Sequence, residues 1–200
     1  MVGGDKVNKT TKGEQSKTKI IECAAQLFLE KGYNATGIND ILAGTGLPKG
    51  SFYFHFSSKK DLAIEVSKYF EEKFTGWLRS KSVDANWNEF ITAVTDDMIM
   101  GAENKKHFGC PFAVLGLEIA FSDIDISEHY YNSLNKLIAL FASVFKFSGI
   151  PEDKINILST RAFAIYEGYL VYYRIGKDVN TIKMMQQDLI KIYEEYKMVK

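Results

Sequence analysis

Proline is scarce in this chain: three among 200 residues, at Pro48, Pro111 and Pro151, against roughly 5% in average usage. Long uninterrupted helices are therefore permitted almost everywhere, and an all-β design is disfavoured. Cysteine is scarcer still. Cys23 and Cys110 cannot supply a disulfide framework, and their separation matches no zinc-ligand spacing, so a reduced compartment suits them. No run approaches the ~20 apolar residues that cross a bilayer, and the segment MVGGDKVNKTTKGEQSK has no apolar stretch of signal-peptide length. The expected location is the cytoplasm, with no membrane partner. Histidine is thinly spread at His55, His107 and His129, with no Glu-x-x-His pair for a metal and no Ser, His and acid at a recognisable catalytic spacing. No metal, cofactor or catalytic residue is expected.

Net charge is zero as well, but only as an average. Residues 1–60 hold nine lysines against five acids, whereas residues 61–200 hold 16 basic and 20 acidic groups. The positive end is a candidate footprint for a polyanion. Apolar material, by contrast, is plentiful: 46% of residues are hydrophobic and 14% aromatic, ample for a core.

The order of elements reads as all-α. Residues 1–15, mostly Gly, Lys, Thr and Asn, are expected to form a mobile basic arm. From Ser16, the apolar positions Ile20, Ala24, Leu27 and Phe28 mark an amphipathic helix ended by Gly32, with Cys23 as packing. A short second helix follows, with Thr36 as N-cap, Ile38, Ile41 and Leu42 on its apolar face, and Gly44 and Gly46 closing it. Pro48 opens a third short helix over KGSFYFHF. Ser58 with Asp61 has the spacing of a capping box, and it starts a long fourth helix, Lys59 to about Lys81. Five more helices are predicted near Asp84 to Lys106, Pro111 to Phe121, Ser127 to Phe147, Pro151 to Ile175 and Thr181 to Lys197, with Asp125 and Glu128 capping the third of these.

Two short helices joined by a glycine turn, after a longer first helix, outline a helix-turn-helix unit. The residues narrow this further. GYNATGINDILAGTGLPKGSFYFHFSSKKDLAIEV resembles the N-terminal DNA-binding domain of the TetR family of bacterial transcriptional regulators, over about 50 residues from Lys19 to Phe70. The spacing itself lets Phe52 and Phe56 lock the third helix onto Ile20, Phe28 and Ile41, leaving Lys49, Ser51, Tyr53, Phe54 and His55 outward. The resemblance implies that Tyr53, His55 and Lys59 contact phosphates, that Thr36 does so from the start of the second helix, and that Lys49, Ser51 and Phe54 approach base edges. One departure is Pro48, where many members carry Ser or Thr; proline keeps the helix start but removes a hydroxyl that could touch phosphate.

The domain reading is thus an arm at 1–15, a helix-turn-helix domain at 16–58, and a ligand-binding and dimerisation domain at 59–200. FGCPFAVLGLEIA is similar to a segment seen in one branch of the family. The resemblance implies a homodimer on a double-stranded operator, most simply a repressor released by a small inducer. Phe70, Phe74, Trp77, Phe112 and Tyr166 are the expected apolar walls of the inducer pocket, and Glu118 and Glu167, each inside an apolar stretch, are candidate pocket acids. Phe163, Tyr166, Leu170, Met185, Leu189, Ile192 and Tyr196 are expected to form a four-helix dimer interface. Cys110, before Pro111 at a helix start and near Lys105, Lys106 and His107, is a possible thiol sensor, since a helix N-terminus and positive neighbours favour thiolate. The rival reading is a helical-bundle enzyme or small-molecule carrier that does not bind DNA.

Overall fold

A computed structural model describes residues 11–104, 106 and 109–198. Among the described residues the chain is all-helical, with no strand, in the order α1 (Lys12–Lys31), α2 (Ile38–Thr45), α3 (Lys49–His55), α4 (Lys59–Ser82), α5 (Trp87–Glu103), α6 (Pro111–Ile119), α7 (Ile124–Phe147), α8 (Glu152–Gly176) and α9 (Val179–Met198). Contacts divide it into two compact units, one ending at Val66 and one beginning at Ser67, so the division falls within α4.

In the first unit α1 starts four residues earlier than Ser16. Thr11 caps it: its hydroxyl accepts from the Glu14 N–H at 3.2 Å, and the Glu14 carboxylate accepts from the Thr11 N–H at 2.6 Å. This reciprocal pair satisfies two otherwise orphaned donors and draws the end of the expected arm into helix. The rest of that arm, residues 1–10, lies outside the described residues. Ile20, Ala24, Phe28, Ile41, Phe52 and Phe56 are all buried, as the spacing requires. Ser58 does cap α4, accepting from the Asp61 N–H at 3.1 Å, while the Asp61 carboxylate accepts from the Ser57 hydroxyl.

Two turn assignments change. Gly46 ends α2 in the left-handed region, at φ 67°, where a side chain would be strained. Gly44, expected beside it as a turn residue, is inside α2; a Cβ there would stand 2.6 Å from the Cys23 sulfur. Gly44 therefore serves close approach of α1 and α2 rather than chain reversal.

The second unit is a bundle in which α5, α7 and α8 pack against α9 or each other and α6 lies on α7. Its centre is Trp87, stacked on Phe145 at 3.8 Å between centroids and donating its indole N–H to the Leu189 carbonyl at 2.8 Å. Several helix starts shift from the sequence reading because better caps exist, α5 beginning later and α7 earlier. Asn86, accepting from the N–H groups of Asn88 and Glu89, starts α5; Asp123, accepting from the Ile126 N–H at 3.2 Å, starts α7 in place of the Asp125 and Glu128 pair. No helix among the described residues is long and apolar enough to cross a membrane.

Candidate DNA-reading helix and ligand cavity

Helix α3 has only seven residues, and its inward face is fully committed: Phe52 is buried within it and Phe56 just beyond it. A helix this short has no second apolar face to bury, so the intervening residues must point out. Tyr53 is 51% and Phe54 79% exposed. Exposed aromatics at this density are unusual for a solvated surface. Lys49 is exposed in the first turn, with its ammonium 5.7 Å from the Tyr53 ring, and Ser51 is half-buried. Pro48 stands just outside the helix as N-cap, and its carbonyl accepts from the Ser51 N–H at 2.9 Å.

Three expected phosphate contacts look different at atomic level. Thr36 is fully buried, and its hydroxyl donates to the Gly32 carbonyl at 2.7 Å; Gly37, not Thr36, is the N-cap of α2. A buried hydroxyl already donating inward cannot reach a phosphate, so Thr36 is removed from the contact set. Its alternation pattern before Ile38 fits a cap, but the flexible Gly37 adopts the cap conformation and Asp40 closes it, accepting from the Gly37 N–H at 2.7 Å. His55 is half-buried, with Nε2 2.7 Å from the Ser16 hydroxyl of α1. Lys59 donates to the carbonyls of Tyr33 and Thr36 at 3.0 and 3.1 Å and sits 4.3 Å from the Tyr33 ring centroid. It ties the start of α4 to the loop between α1 and α2, using two of its three N–H donors.

The second unit holds a cavity of about 630 Å³ between α6, α7 and α8, walled almost wholly by apolar side chains. Phe112, Gly116 and Leu117 come from α6, Tyr130, Tyr131 and Leu134 from α7, and Glu167, Gly168 and Val171 from α8. Of the expected walls only Phe112 lines it. Phe70 and Phe74 stand behind Phe112, with centroids at 6.5 and 6.2 Å. Trp77 is engaged elsewhere: its indole N–H donates to Asp97 at 2.9 Å, and Lys81 and Trp77 together hold that carboxylate below its ordinary range. Tyr166 is buried against Phe141 and Phe163 in the core. Glu118 is half-buried on α6 and interacts electrostatically with Arg174. The four α7 lining residues were missed, although Ser127, Tyr130, Tyr131 and Leu134 recur at i, i+3, i+4 and i+7, the signature of one helix face.

Glu167 is the acid at the cavity. Both carboxylate oxygens are shut off from solvent with no hydrogen-bond partner among the described residues. Burial pushes its pKa up to about 7, opposed by the adjacent Cys110 thiol. Cys110 is buried, and the expected lowering of its thiol is reversed: burial and then the Glu167 carboxylate push it well up, while the N–H groups of Ala113 and Phe112 at the helix start oppose this only in part. The thiolate that a sensor needs is disfavoured. Lys105 and His107, expected to favour it, lie outside the described residues.

The expected dimer surface also needs correction. Phe163, Tyr166, Leu170, Met185 and Leu189 are buried within the unit; Ile192 and Tyr196 are half-buried, with Tyr196 accepting from Arg161 at 2.7 Å. The apolar side chains that α8 leaves in water are Ile157, Val171, Tyr172 and Ile175, flanking the small residues Ala164 and Gly168. Helix α8 thus carries apolar residues on both faces, and the expected set is largely the one that packs within the unit.

Residues 20–66, spanning α1 to the early part of α4, match the family of bacterial regulatory proteins of the tetR type. Over 186 residues the chain is 31% identical to an HTH-type transcriptional regulator from the lacX 3' region of Lactococcus lactis subsp. lactis, covering 88% of this chain and 91% of that one. The chain belongs to the TetR family. Solved structures agree on the fold of this TetR-family chain. A transcriptional regulator of the family from Cytophaga hutchinsonii superposes with TM-score 0.84 at 21% identity, over 96% of this chain and 100% of that one. A TetR transcriptional regulator from Chloroflexus aurantiacus J-10-FL does so with TM-score 0.80 at 26% identity, over 92% and 96%. These relatives are transcriptional regulators and not enzymes, which sets aside the helical-bundle enzyme.

Proposed function

We propose that this TetR-family regulator is a cytoplasmic homodimeric repressor that binds a two-fold symmetric operator through α3 and leaves it when a small apolar or aromatic inducer enters the second unit. The observation that carries the DNA-reading part is the outward pair Tyr53 and Phe54 beside Lys49, on a helix whose other face is fixed by Phe52 and Phe56. Lys49, Ser51 and Phe54 approach base edges, and Tyr53 and His55 meet phosphate. Lys59 joins them with the N–H not engaged by the Tyr33 and Thr36 carbonyls. Pairing of two chains uses the exposed α8 face around Tyr172 and Ile175, and a dimer places recognition helices about one DNA turn apart, ~34–36 Å or a multiple of the groove repeat.

Induction runs through α4. Phe112 lines the cavity and abuts Phe70 and Phe74, which lie on the same continuous helix as Lys59. A ligand that favours one of two placements of this helix shifts the affinity of its other end for phosphate. Selection from a random duplex pool tests the reading: the protein is expected to enrich an inverted repeat, and Lys49→Ala to change the enriched sequence. Lys59→Ala should weaken all sequences alike and flatten the salt dependence by about one unit of slope. A pool that shows no enrichment, or light scattering that shows a monomer at micromolar concentration, overturns it.

A further inference from the structure

A carboxylate stripped of both water and partners is costly unless it is neutralised or paired. Glu167 is such a group, with only the weakly polar Cys110 thiol beside it, and it belongs to the wall of the apolar cavity described above. Other carboxylates of the unit are accounted for differently. Glu71 accepts from Lys136 and Ser133, and Asp97 from Lys81 and Trp77. Glu167 has no such cation or donor pair among the described residues, and it stands at a site roomy enough for a drug-sized molecule.

We propose that the cavity takes an amphipathic organic cation, an aromatic or branched apolar body bearing one ammonium group, with the positive charge set against Glu167 and the body against Phe112, Tyr130 and Leu134. The inference rests on the reading of the cavity as the inducer site and names the ligand class for it. Apolar walls lower the local dielectric relative to water, so the charge is felt from just behind the cavity surface. The aromatic rings of Phe112 and Tyr130 add faces on which a cation is favoured. A neutral ligand of the same shape would gain the apolar contacts and leave the carboxyl group uncompensated.

The titration follows from the same geometry. At neutral pH Glu167 is divided between acid and carboxylate, and a cation binds the carboxylate and expels the proton. The other titratable groups facing Glu167 among the described residues are the Cys110 thiol at the start of α6, the phenols of Tyr130 and Tyr131 on α7, and the Tyr166 phenol on α8; α9 contributes no residue to the cavity wall. Burial raises both Cys110 and Tyr166, so these two stay protonated through this range.

A matched pair of probes decides the matter: trimethyl(2-naphthylmethyl)ammonium and its uncharged carbon isostere 2-neopentylnaphthalene, each titrated into the full chain without DNA and followed by naphthalene fluorescence. The cation is expected to bind at least tenfold more tightly than the isostere at pH 8, and to lose about tenfold in affinity by pH 6 as Glu167 takes up its proton. Glu167→Gln is expected to abolish both the preference and the pH dependence while the isostere binds as before, which shows the variant to be folded. Equal affinity for the two probes at pH 8, a preference that survives in Glu167→Gln, or failure of the cation to bind at millimolar concentration overturns the proposal. Because DNA is absent, these outcomes are separate from the induction reading: a cation that binds as expected but leaves the operator complex intact keeps this site and removes its coupling to α4.

Discussion

Phe54 on α3 holds an apolar ring in water, and Glu167 on α8 holds a carboxylate out of it. The two units thus break the same burial preference in opposite directions. In the first, the break is local: a seven-residue helix can bury one face only, and its second aromatic face is left outside. In the second, the break is tertiary, since Glu167 is shut in by elements far apart in sequence, α6 and α7 together with its own helix. Neither arrangement helps the chain fold. Local rules that fail without a folding gain point to sites of function.

The largest expected effect removes the buried charge. Glu167 has a folded pKa raised above the ordinary carboxylate value, so the folded state holds its proton more tightly than the unfolded chain and stability is lost as pH rises from about 4.5 toward 7. Glu167→Gln should therefore match the parent near pH 4.5 and exceed it by about 3 kcal/mol at pH 8, the free energy of roughly two and a half units of displacement. Urea denaturation at the two pH values measures this. Equal stability at pH 8 would mean that the carboxylate is compensated, and the contrast with α3 would lapse.

The next effect sharpens the comparison by asking what holds the first unit rigid beneath its exposed face. Gly44→Ala should cost about 1–2 kcal/mol through the clash with the Cys23 sulfur, 2.6 Å away. In a Cys23→Ala background the sign should reverse, since alanine is the better helix residue by up to ~1 kcal/mol. A double-mutant cycle in urea distinguishes close approach from mere turn geometry. A smaller effect belongs to Lys59→Met, which removes two hydrogen bonds to the Tyr33 and Thr36 carbonyls and should cost about 1 kcal/mol of stability in addition to its effect on DNA. Unchanged stability would make Lys59 a phosphate contact only.

What could be read from the sequence follows the same divide. The helix order, the buried set Ile20, Phe28, Ile41, Phe52 and Phe56, and the outward Tyr53 and Phe54 are legible because each depends on spacing within one helix or across one turn. Thr36 and Gly44 are not legible in the same way, because a cap and a turn glycine look alike in sequence to an inward hydroxyl and a point of helix contact; only the position of α1 separates them. The cavity walls were harder. Trp77 and Tyr166 are as aromatic as Phe112, but which of the three faces a cavity is decided by Asp97 and Phe141, partners 20 or more residues distant in the chain. Glu118 and Glu167 both interrupt apolar stretches, and what distinguishes them is the Arg174 guanidinium near the first and, near the second, a buried thiol, Cys110, with no positive charge.

The central claim is that the exposed aromatics of α3 are kept for DNA and contribute nothing to the fold. Tyr53→Ala combined with Phe54→Ala tests it most directly, with urea stability and affinity for the duplex enriched from a random pool measured on the same preparation. The account predicts a stability change within about 0.5 kcal/mol, as for exposed positions in general, together with a loss of operator affinity of at least about tenfold, the value of one lost base or phosphate contact. Operator affinity that survives the double substitution in a protein of unchanged stability would contradict it.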